Sequence, residues 1–321
     1  MKITKAIVKS LLEKLYTIRI VDEEIAKIYP SDVIKCPIHL STGSEAVSVG
    51  VCAALKKTDY VVGGHRSHGV YLAKGGSLNK FMSELYGREN GCSGGKGGSM
   101  HLISLENGLL GTTPILGSTI PIGVGSALSS SIKKDGKVTA VFFGDGASEE
   151  GVFYESLNIA ALFSLPVVFV CENNRISIFD EQKIRQPLDN IYKKTEIFGF
   201  PGVRVDGNDV LEVYKTSQLA IKHARTKGPF LIECVTSRWR QHVGPYYDYE
   251  IGFGTKEELE DVMTKSDPIK IFLRYLKKEN LINEAEATKI KVKVERAVKN
   301  SFEFALQSSL PDPSKLYEDV Y

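Results

Sequence analysis

The 321-residue sequence predicts a doubly wound α/β fold, in which a parallel sheet carries helices on both faces. Short runs rich in β-branched and aromatic residues recur along the chain, and helical patterns lie between them. Apolar strands that alternate with helices are typical of a parallel sheet buried on both sides. The five predicted strands are residues 60–63, 137–144, 166–171, 203–205 and 229–235.

The predicted helices follow from the spacing of apolar residues. Residues 4–28 alternate apolar and charged positions at helical spacing, and Pro30 ends this helix. We expect a second helix to begin at Thr42, where Thr42 and Glu45 would form a capping box. Three further helical stretches are predicted at residues 148–163, at residues 209–225 and, as charged segments, from Lys256 to about Gln307.

The domain organisation is predicted to be simple. The sequence shows no Pro- or Ser-rich linker and no repeat with a period of 20–50 residues. We therefore expect one domain over residues 1–321, with an active-site loop at 236–254 and a C-terminal helical extension at 255–321.

Composition and charge exclude several classes of protein. Hydrophobic residues are 42% and charged residues 25% of the chain, which argues against a disordered protein. No apolar run reaches the roughly 18–20 residues of a membrane span, and a formal charge of +2 offers no general field for a nucleic acid. We expect a protein that binds neither membranes nor nucleic acids.

The chain start and the cysteines predict a cytoplasmic protein. Lys9, Glu13 and Lys14 interrupt the first apolar stretch, which is therefore unlike a secretory or transit segment. The five cysteines are odd in number and include no C-x-x-C pair. This pattern argues against a disulfide framework or a zinc site, and we expect free thiols.

Glycine is enriched in two places. The chain holds 29 glycines, and many lie within 87–98 and 117–151. Glycine-rich turns after strands allow backbone N–H groups to approach a phosphate. Neither cluster contains the P-loop or the dinucleotide-binding fingerprint. Taken alone, residues 94–98 could equally form a flexible surface loop.

Residues 141–177 carry the decisive motif: a strand, Gly-Asp-Gly, a helix, a second strand and Glu-Asn-Asn. Asp145 follows the first strand, and Asn173 and Asn174 follow the second, one βαβ unit later. Ligands of open parallel sheets lie beyond the carboxyl ends of strands. Carboxylate and amide oxygens there suit Mg²⁺. Alternatively, Asp145 caps the helix that starts near Ser148 and Asn174 forms a turn.

The chain resembles a known family at this point. Gly-Asp-Gly followed by Asn-Asn about thirty residues later is similar to the thiamine diphosphate motif. The surrounding segments resemble the alpha subunit of the decarboxylating component of 2-oxoacid dehydrogenase complexes, nearest to its pyruvate and acetoin branch. Six segments match in order: HLSTGSEAVSVG at 39–50, HRSHGVYLAKG at 65–75, GCSGGKGGSMH at 91–101, ILGSTIPIGVG at 115–125, GDGASEEG to ENNR at 144–175 and RWRQH at 238–242.

The resemblance implies the cofactor thiamine diphosphate, with Mg²⁺, and roles for individual residues. Asp145 and Asn174 would bind Mg²⁺ with their side chains and Ile176 with its carbonyl. The remaining cofactor-binding positions implied by the resemblance are His65, Arg66, Leu116, Gly144, Gly146, Ala147, Arg238 and His242. Both glycine clusters would then give backbone clearance around one diphosphate.

The histidines have predicted roles too. Five of the six lie in matched segments. The resemblance implies that His39 and His242 are catalytic, lining the channel where substrate and lipoyl group meet the cofactor. For His68 we expect a structural hydrogen-bonding role instead.

Two positions depart from the family pattern. The family often has Tyr-Arg where this chain has His65-Arg66. Residues 242–253 replace the common loop that carries a serine phosphorylated in some relatives, so we expect no such regulation here. An altered loop beside the substrate channel also raises the question of an altered acceptor.

The length has a consequence for the partner. In this superfamily a glutamate from a second, pyrimidine-facing domain activates the cofactor, and 321 residues hold only the diphosphate-facing domain. The resemblance therefore implies a separate beta subunit, in a heterotetramer of two alpha and two beta chains, and a lipoyl acyltransferase as a further partner.

The leading hypothesis is thus the alpha subunit of an oxidoreductase that decarboxylates a pyruvate-like 2-oxoacid, or cleaves acetoin, and acylates a lipoyl domain. The altered loop leaves two-carbon transfer to a sugar or other carbonyl acceptor as an alternative. A non-catalytic scaffold subunit and a two-chain transketolase-type enzyme are further alternatives.

Overall fold

The computed structural model describes residues 3–318, which form a six-stranded parallel sheet between two layers of helices. The strand order is β2-β1-β3-β4-β8-β7, and every neighbouring pair is parallel. The strands of this sheet are β1 (Tyr60–Gly63), β2 (Leu109–Thr112), β3 (Thr139–Gly144), β4 (Val167–Asn173), β7 (Gly202–Asp206) and β8 (Phe230–Val235). A separate hairpin pairs β5 (Ile176–Ser177) with β6 (Asp180–Glu181). The predicted doubly wound α/β fold is confirmed.

The helices connect and cover these strands. The first five are α1 (Lys5–Ile28), α2 (Glu45–Ala54), α3 (His68–Lys74), α4 (Leu78–Leu85) and α5 (Thr119–Lys133). The next three are α6 (Gly151–Leu162), α7 (Gln182–Arg185) and α8 (Val210–Lys227). The chain continues with α9 (Lys256–Lys265), α10 (Pro268–Lys278) and α11 (Glu284–Gln307).

Alternating strand residues supply two separate apolar cores. On one face Ala140, Phe142 and Val170 join a core completed by α1, α2 and α8, and on the other Val141 and Phe143 pack with α5 and α6. Both faces of β3 are therefore buried, as expected for a central parallel strand. The last helices share the first core, because α11 packs on α1 and α4.

One predicted helix start is wrong. Helix α2 begins at Glu45 and not at Thr42, and its N-cap is Ser44. The Thr42 hydroxyl is buried without a partner, so no capping box forms. Glu45 instead forms an ion pair with the guanidinium of Arg19 on α1. Its carboxylate also accepts a hydrogen bond from the Gly43 amide at 3.2 Å. A tertiary ion pair has overridden the local capping pattern.

Within residues 3–318, no helix combines the length and the hydrophobicity that a membrane span requires.

Candidate active site

The candidate site lies where the direction of strand connections changes. From β1 the chain passes outward to β2, whereas from β3 it passes to β4 on the other side. The carboxyl ends of β1 and β3 therefore border a crevice, the usual ligand position of open α/β sheets. His65 and Arg66 follow β1, and Asp145 follows β3.

A cavity of about 290 Å³ occupies this crevice. Its wall includes nearly all of the residues that the sequence predicts for the site. They are His39, His65, Arg66, Leu116, Gly144, Asp145, Gly146, Ala147, Asn174, Ile176 and His242. The fold thus brings together segments that are up to about 200 residues apart in the chain.

Asp145 is buried at the carboxyl end of β3 and already faces a cation. Its carboxylate pairs with the guanidinium of Arg185 on α7, which also pairs with Glu149. Burial raises the pKa of Asp145, and the hydrogen bond and charge of Arg185 act in the opposite direction. Asp145 does not cap the following helix, since α6 begins at Gly151, has Glu150 at its N-cap and has no side-chain cap hydrogen bond. The structure therefore contradicts the alternative assignment of Asp145 as a cap.

The two asparagines at the end of β4 have different surroundings. Asn173 is buried, and its amide donates to the Glu233 carboxylate at 2.7 Å. Asn174 lines the cavity, and its side-chain oxygen accepts a hydrogen bond from the Ile176 amide at 3.0 Å. That contact closes a turn, yet an amide oxygen keeps a second lone pair for a cation. Asp145 and Asn174 therefore offer hard oxygen donors to one cavity, which fits Mg²⁺.

Three imidazoles face one another at this cavity. The ring centroids of His39 and His65 lie 4.7 Å apart, those of His39 and His242 5.2 Å, and those of His65 and His242 5.3 Å. Burial and the charge of Arg66 lower the pKa of His65 to about 3 and that of His242 to about 4. Burial also lowers the pKa of His39 to about 2. All three rings are neutral at pH 7.

Arg66 and Glu172, a basic and an acidic residue, line the same cavity as the histidines. The Arg66 guanidinium donates to the carbonyl oxygens of Leu40 and, at 3.4 Å, of His242. Burial and the nearby Arg238 lower the pKa of Arg66 to about 10. Burial raises the pKa of Glu172 to about 7, although Arg66 opposes that shift. Two of the five N–H donors of Arg66 are thus engaged by backbone carbonyls, which orients the guanidinium.

Arg238 lies outside this cavity, in the wall of an adjoining one that shares Asn174, Ile176 and Thr236 with it. Its guanidinium donates to Asp248 at 2.6 Å and to the Ile178 carbonyl at 3.1 Å. Asp248 belongs to the unusual segment 242–253, so this segment holds Arg238 in place. The second predicted arginine is therefore near the site but engaged by protein groups.

Comparison with known proteins identifies the family. Residues 13–314 match the family described as dehydrogenase E1 component. The chain belongs to this family. The alpha subunit of acetoin:2,6-dichlorophenolindophenol oxidoreductase from Bacillus subtilis (strain 168) is 37% identical over 97% of this chain and 92% of its own length.

Pyruvate dehydrogenase E1 component alpha subunits match as well. That of Rhizobium meliloti (strain 1021) is 36% identical over 96% of this chain and 88% of its own length. The chloroplastic alpha-3 subunit of Arabidopsis thaliana is 39% identical over 99% of this chain and 75% of its own length. The resemblance stated from the motifs is confirmed, and with it the dependence of the dehydrogenase E1 family on thiamine diphosphate.

One glycine cluster of this E1 chain has a different purpose from the predicted one. No residue of 87–98 lines the cavity. Instead, four backbone N–H groups of this loop donate to the buried carboxylate of Glu84, those of Ser93, Gly95, Gly97 and Gly98, at 2.7–3.0 Å. Gly95 has φ +75°, and a Cβ there would lie 2.6 Å from the Arg88 carbonyl oxygen. The loop therefore encloses a carboxylate of the protein itself.

His68 supports the same region of the E1 chain. Its ring is buried, with Nδ1 2.7 Å from Asp22 and Nε2 2.6 Å from the Ser99 hydroxyl. Asp22 also accepts from the Ser41 amide at 2.6 Å. These contacts join α1 and α3 to Ser99, which directly follows the glycine-rich loop 87–98, and the predicted structural role of His68 is confirmed.

Two residues of the site were missed from the sequence. Glu172 belongs to the Glu-Asn-Asn motif, but no role was predicted for it from the sequence. Its position directly before the two asparagines was a usable signal that it lies at the site. Arg185 lies 40 residues from Asp145 and belongs to no motif. Only the fold shows that its charge reaches the predicted metal position.

Proposed function

We propose that this chain is the alpha subunit of a thiamine diphosphate-dependent dehydrogenase acting on a pyruvate-like 2-oxoacid or on acetoin. One observation carries the proposal: Asp145, Asn174 and three histidines line a single cavity at the switch point of the sheet. The matches to acetoin and pyruvate dehydrogenase subunits favour a dehydrogenase over two-carbon transfer to a sugar or a scaffold role.

Different residues of the cavity would bind different parts of the cofactor and its metal ion. Asp145 and Asn174 would hold Mg²⁺ with side-chain oxygens, and Ile176 with its carbonyl. The backbone N–H groups of Gly144, Gly146 and Ala147, with Arg66 and Arg238, would bind the diphosphate. Leu116 would contact the aminopyrimidine ring through its backbone, and His65 would lie beside the cofactor.

The fit to the cofactor rests on charge. A buried carboxylate that pairs with the cation Arg185 marks the end of β3 as a place where positive charge is stabilised. The cofactor, when bound, supplies the electron sink for removal of carbon dioxide or cleavage of acetoin. The protein contributes orientation, exclusion of water and hydrogen bonds.

His39 and His242 are the proposed catalytic residues. Because the pKa of His242 lies near 4, its ring is neutral and would act as a hydrogen-bond donor or acceptor toward the acyl acceptor. His39 is 6% exposed, lies beside His242 with the ring centroids 5.2 Å apart, and would contact the substrate from the same wall of the cavity. A lipoyl domain of an acyltransferase is the proposed acceptor.

We include a beta subunit, in a two-alpha, two-beta heterotetramer, as part of this proposal. The family's activating glutamate would come from the beta chain. A cytoplasmic location is also proposed. The five cysteines are unpaired in the structure, which is typical of a reducing compartment.

Reconstitution tests the proposal. The chain is mixed with its beta subunit, thiamine diphosphate and Mg²⁺, and 2-oxoacids and acetoin are assayed with an artificial electron acceptor. We expect activity only when both subunits are present. Useful activity of this chain alone would contradict the divided site, and activity solely with aldehyde or sugar acceptors would favour two-carbon transfer.

A further inference from the structure

The three cavity histidines converge from separate parts of the fold. His39 precedes α2, His65 follows β1, and His242 follows β8. One ring nitrogen of each can be chosen so that all three lie within 4.8 Å of one another. Three separate segments of the chain thus bring three nitrogen donors together at the wall of the cavity.

These rings lack partners of their own. Among residues 3–318, none of the three imidazoles makes a hydrogen bond to a protein atom, and the Nδ1 of His39 is buried without a partner. The contrast with His68 is direct, since both nitrogens of that buried ring are hydrogen-bonded. Buried polar atoms in native proteins are normally satisfied, so the unpartnered Nδ1 of His39 beside the cavity is available to a ligand.

We propose that His39, His65 and His242 form a transition-metal site, best suited to Zn²⁺, on the wall of the cofactor cavity. Zn²⁺ binds three imidazole nitrogens at about 2.0–2.1 Å and takes water as a fourth ligand. Tetrahedral geometry would bring the nitrogens to roughly 3.4 Å from one another. In the structure the nitrogens lie within 4.8 Å of one another, so metal binding requires the rings to move closer together.

The ligand chemistry separates this site from the Mg²⁺ site. Imidazole nitrogens prefer Zn²⁺, Cu²⁺ or Ni²⁺, whereas Mg²⁺ prefers the oxygens of Asp145 and Asn174. The two positions lie in one cavity but do not compete for the same ion. Nearby charge is mixed, because both Arg66 and Glu172 line the same cavity. We therefore expect reversible binding and not a permanent structural ion.

A bound metal would change how the cavity is used. It would lie between His39 and His242, the two proposed catalytic residues, and would deny both rings to a substrate. Zn²⁺ should consequently inhibit the assembled enzyme. Metal binding itself needs only the three rings, so the inference stands apart from the proposed function.

Cobalt spectroscopy provides the test, because Co²⁺ in a tetrahedral site absorbs strongly in the visible range. The metal-free full chain, purified with its beta subunit at pH 8 and without thiamine diphosphate, is titrated with Co²⁺ and then with Zn²⁺. We expect a tetrahedral Co²⁺ spectrum that Zn²⁺ abolishes and excess Mg²⁺ does not.

Variants locate the site. His65→Tyr introduces the aromatic residue frequent in the family and removes one ligand, so Co²⁺ binding should weaken at least tenfold. His242→Gln removes a ligand from a different loop and should have the same effect if His65→Tyr is poorly folded. His101→Ala, at an exposed histidine outside the cavity, is the matched control and should bind Co²⁺ like the parent.

A further variant keeps this test distinct from the Mg²⁺ assignment. Asp145→Ala should leave Co²⁺ binding unchanged while thiamine diphosphate binding is lost. The inference is overturned if Co²⁺ gives only an octahedral spectrum, if both histidine variants bind it as tightly as the parent, or if Asp145→Ala abolishes it. Retention of thiamine diphosphate by Asp145→Ala would instead contradict the proposed function.

Discussion

The guanidinium of Arg185 pairs with the buried carboxylate of Asp145 at the carboxyl end of β3. The same guanidinium contacts Glu149 and donates to the Asp180 carbonyl at 3.1 Å. A side chain from α7 thus supplies positive charge where the sequence predicts a divalent cation. Metal binding at Asp145 therefore has to displace or share this arginine.

Replacing Arg185 should strengthen Mg²⁺ binding. In Arg185→Gln the Asp145 carboxylate no longer has a competing cation, and we expect roughly tenfold tighter binding of Mg²⁺ with thiamine diphosphate, or about 1.4 kcal/mol. The metal-free variant should also unfold at a lower temperature, because a buried charge loses its partner. Calorimetric titration and thermal unfolding measure the two effects.

Lys183→Gln is the matched control for this experiment. Lys183 lies on the same short helix, but it is exposed and pairs with Glu181. Its replacement should change neither measurement. Weaker Mg²⁺ binding by Arg185→Gln would show that the arginine assists the metal instead of competing with it.

Glu84 should be essential for the glycine loop. Its carboxylate accepts four backbone hydrogen bonds, and Glu84→Gln replaces two acceptor sites by donors. We expect a loss of about 1–3 kcal/mol in the free energy of unfolding and faster proteolysis within 87–98. Denaturant titration provides the first value. Glu89→Gln, at an exposed neighbour, should be neutral, and equal stability of both variants would refute the role of Glu84.

Two glycines of α5 should respond oppositely to alanine. A Cβ at Gly123 would lie 2.2 Å from the Val141 side chain on β3, whereas a Cβ at Gly125 meets nothing within 4 Å. Gly123→Ala should therefore destabilise the fold by about 1–3 kcal/mol. Gly125→Ala should stabilise it by about 0.5–1 kcal/mol, because alanine favours the helix. Thermal unfolding compares the pair, and similar shifts would contradict the packing of α5 on β3.

The cavity histidines should make stability dependent on pH. Their folded-state pKa values are lowered from 6.5 to about 2 for His39, about 3 for His65 and about 4 for His242. Below pH 6.5 the unfolded chain therefore binds protons that the folded chain does not. Stability is complete above pH 6.5 and should fall as the pH decreases from 6.5 toward 4.

Denaturant midpoints at pH 7.5 and pH 5.5 measure this dependence. His65→Tyr removes one of the three depressed groups and should reduce the difference between the two midpoints. His101→Ala is the control at an exposed position. An unchanged difference in His65→Tyr would mean that this ring accepts a proton readily in the folded protein.

The sequence predicted most strands of the sheet correctly, because the central strands have strongly apolar sequences. Strands β3, β4 and β8 were placed within about two residues. Strand β2 was missed because its sequence, Leu-Leu-Gly-Thr, lacks the consecutive valines that mark the equally short β1 as a strand. The start of α2 was misplaced because Glu45 interacts with Arg19, 26 residues away, and no local pattern shows such a pair.

The candidate site was predictable where function imposes a motif. Gly-Asp-Gly, Asn-Asn, the histidine segments and ILGSTIPIGVG placed eleven residues that the fold collects in one cavity. The partners Arg185 and Asp248 were not predictable, because their contacts with Asp145 and Arg238 join segments that no sequence motif links. The loop 87–98 was misassigned for a related reason: glycine-rich N–H groups can bind a carboxylate of the protein as readily as a phosphate.

Binding of thiamine diphosphate to the assembled enzyme tests the central claim most directly. The parent and Asp145→Ala, each purified with the beta subunit, are titrated with thiamine diphosphate in the presence and absence of Mg²⁺. We expect tight, Mg²⁺-dependent binding by the parent and none by Asp145→Ala. Equal binding by both proteins, or binding by the parent that is independent of Mg²⁺, would contradict the assignment of this cavity.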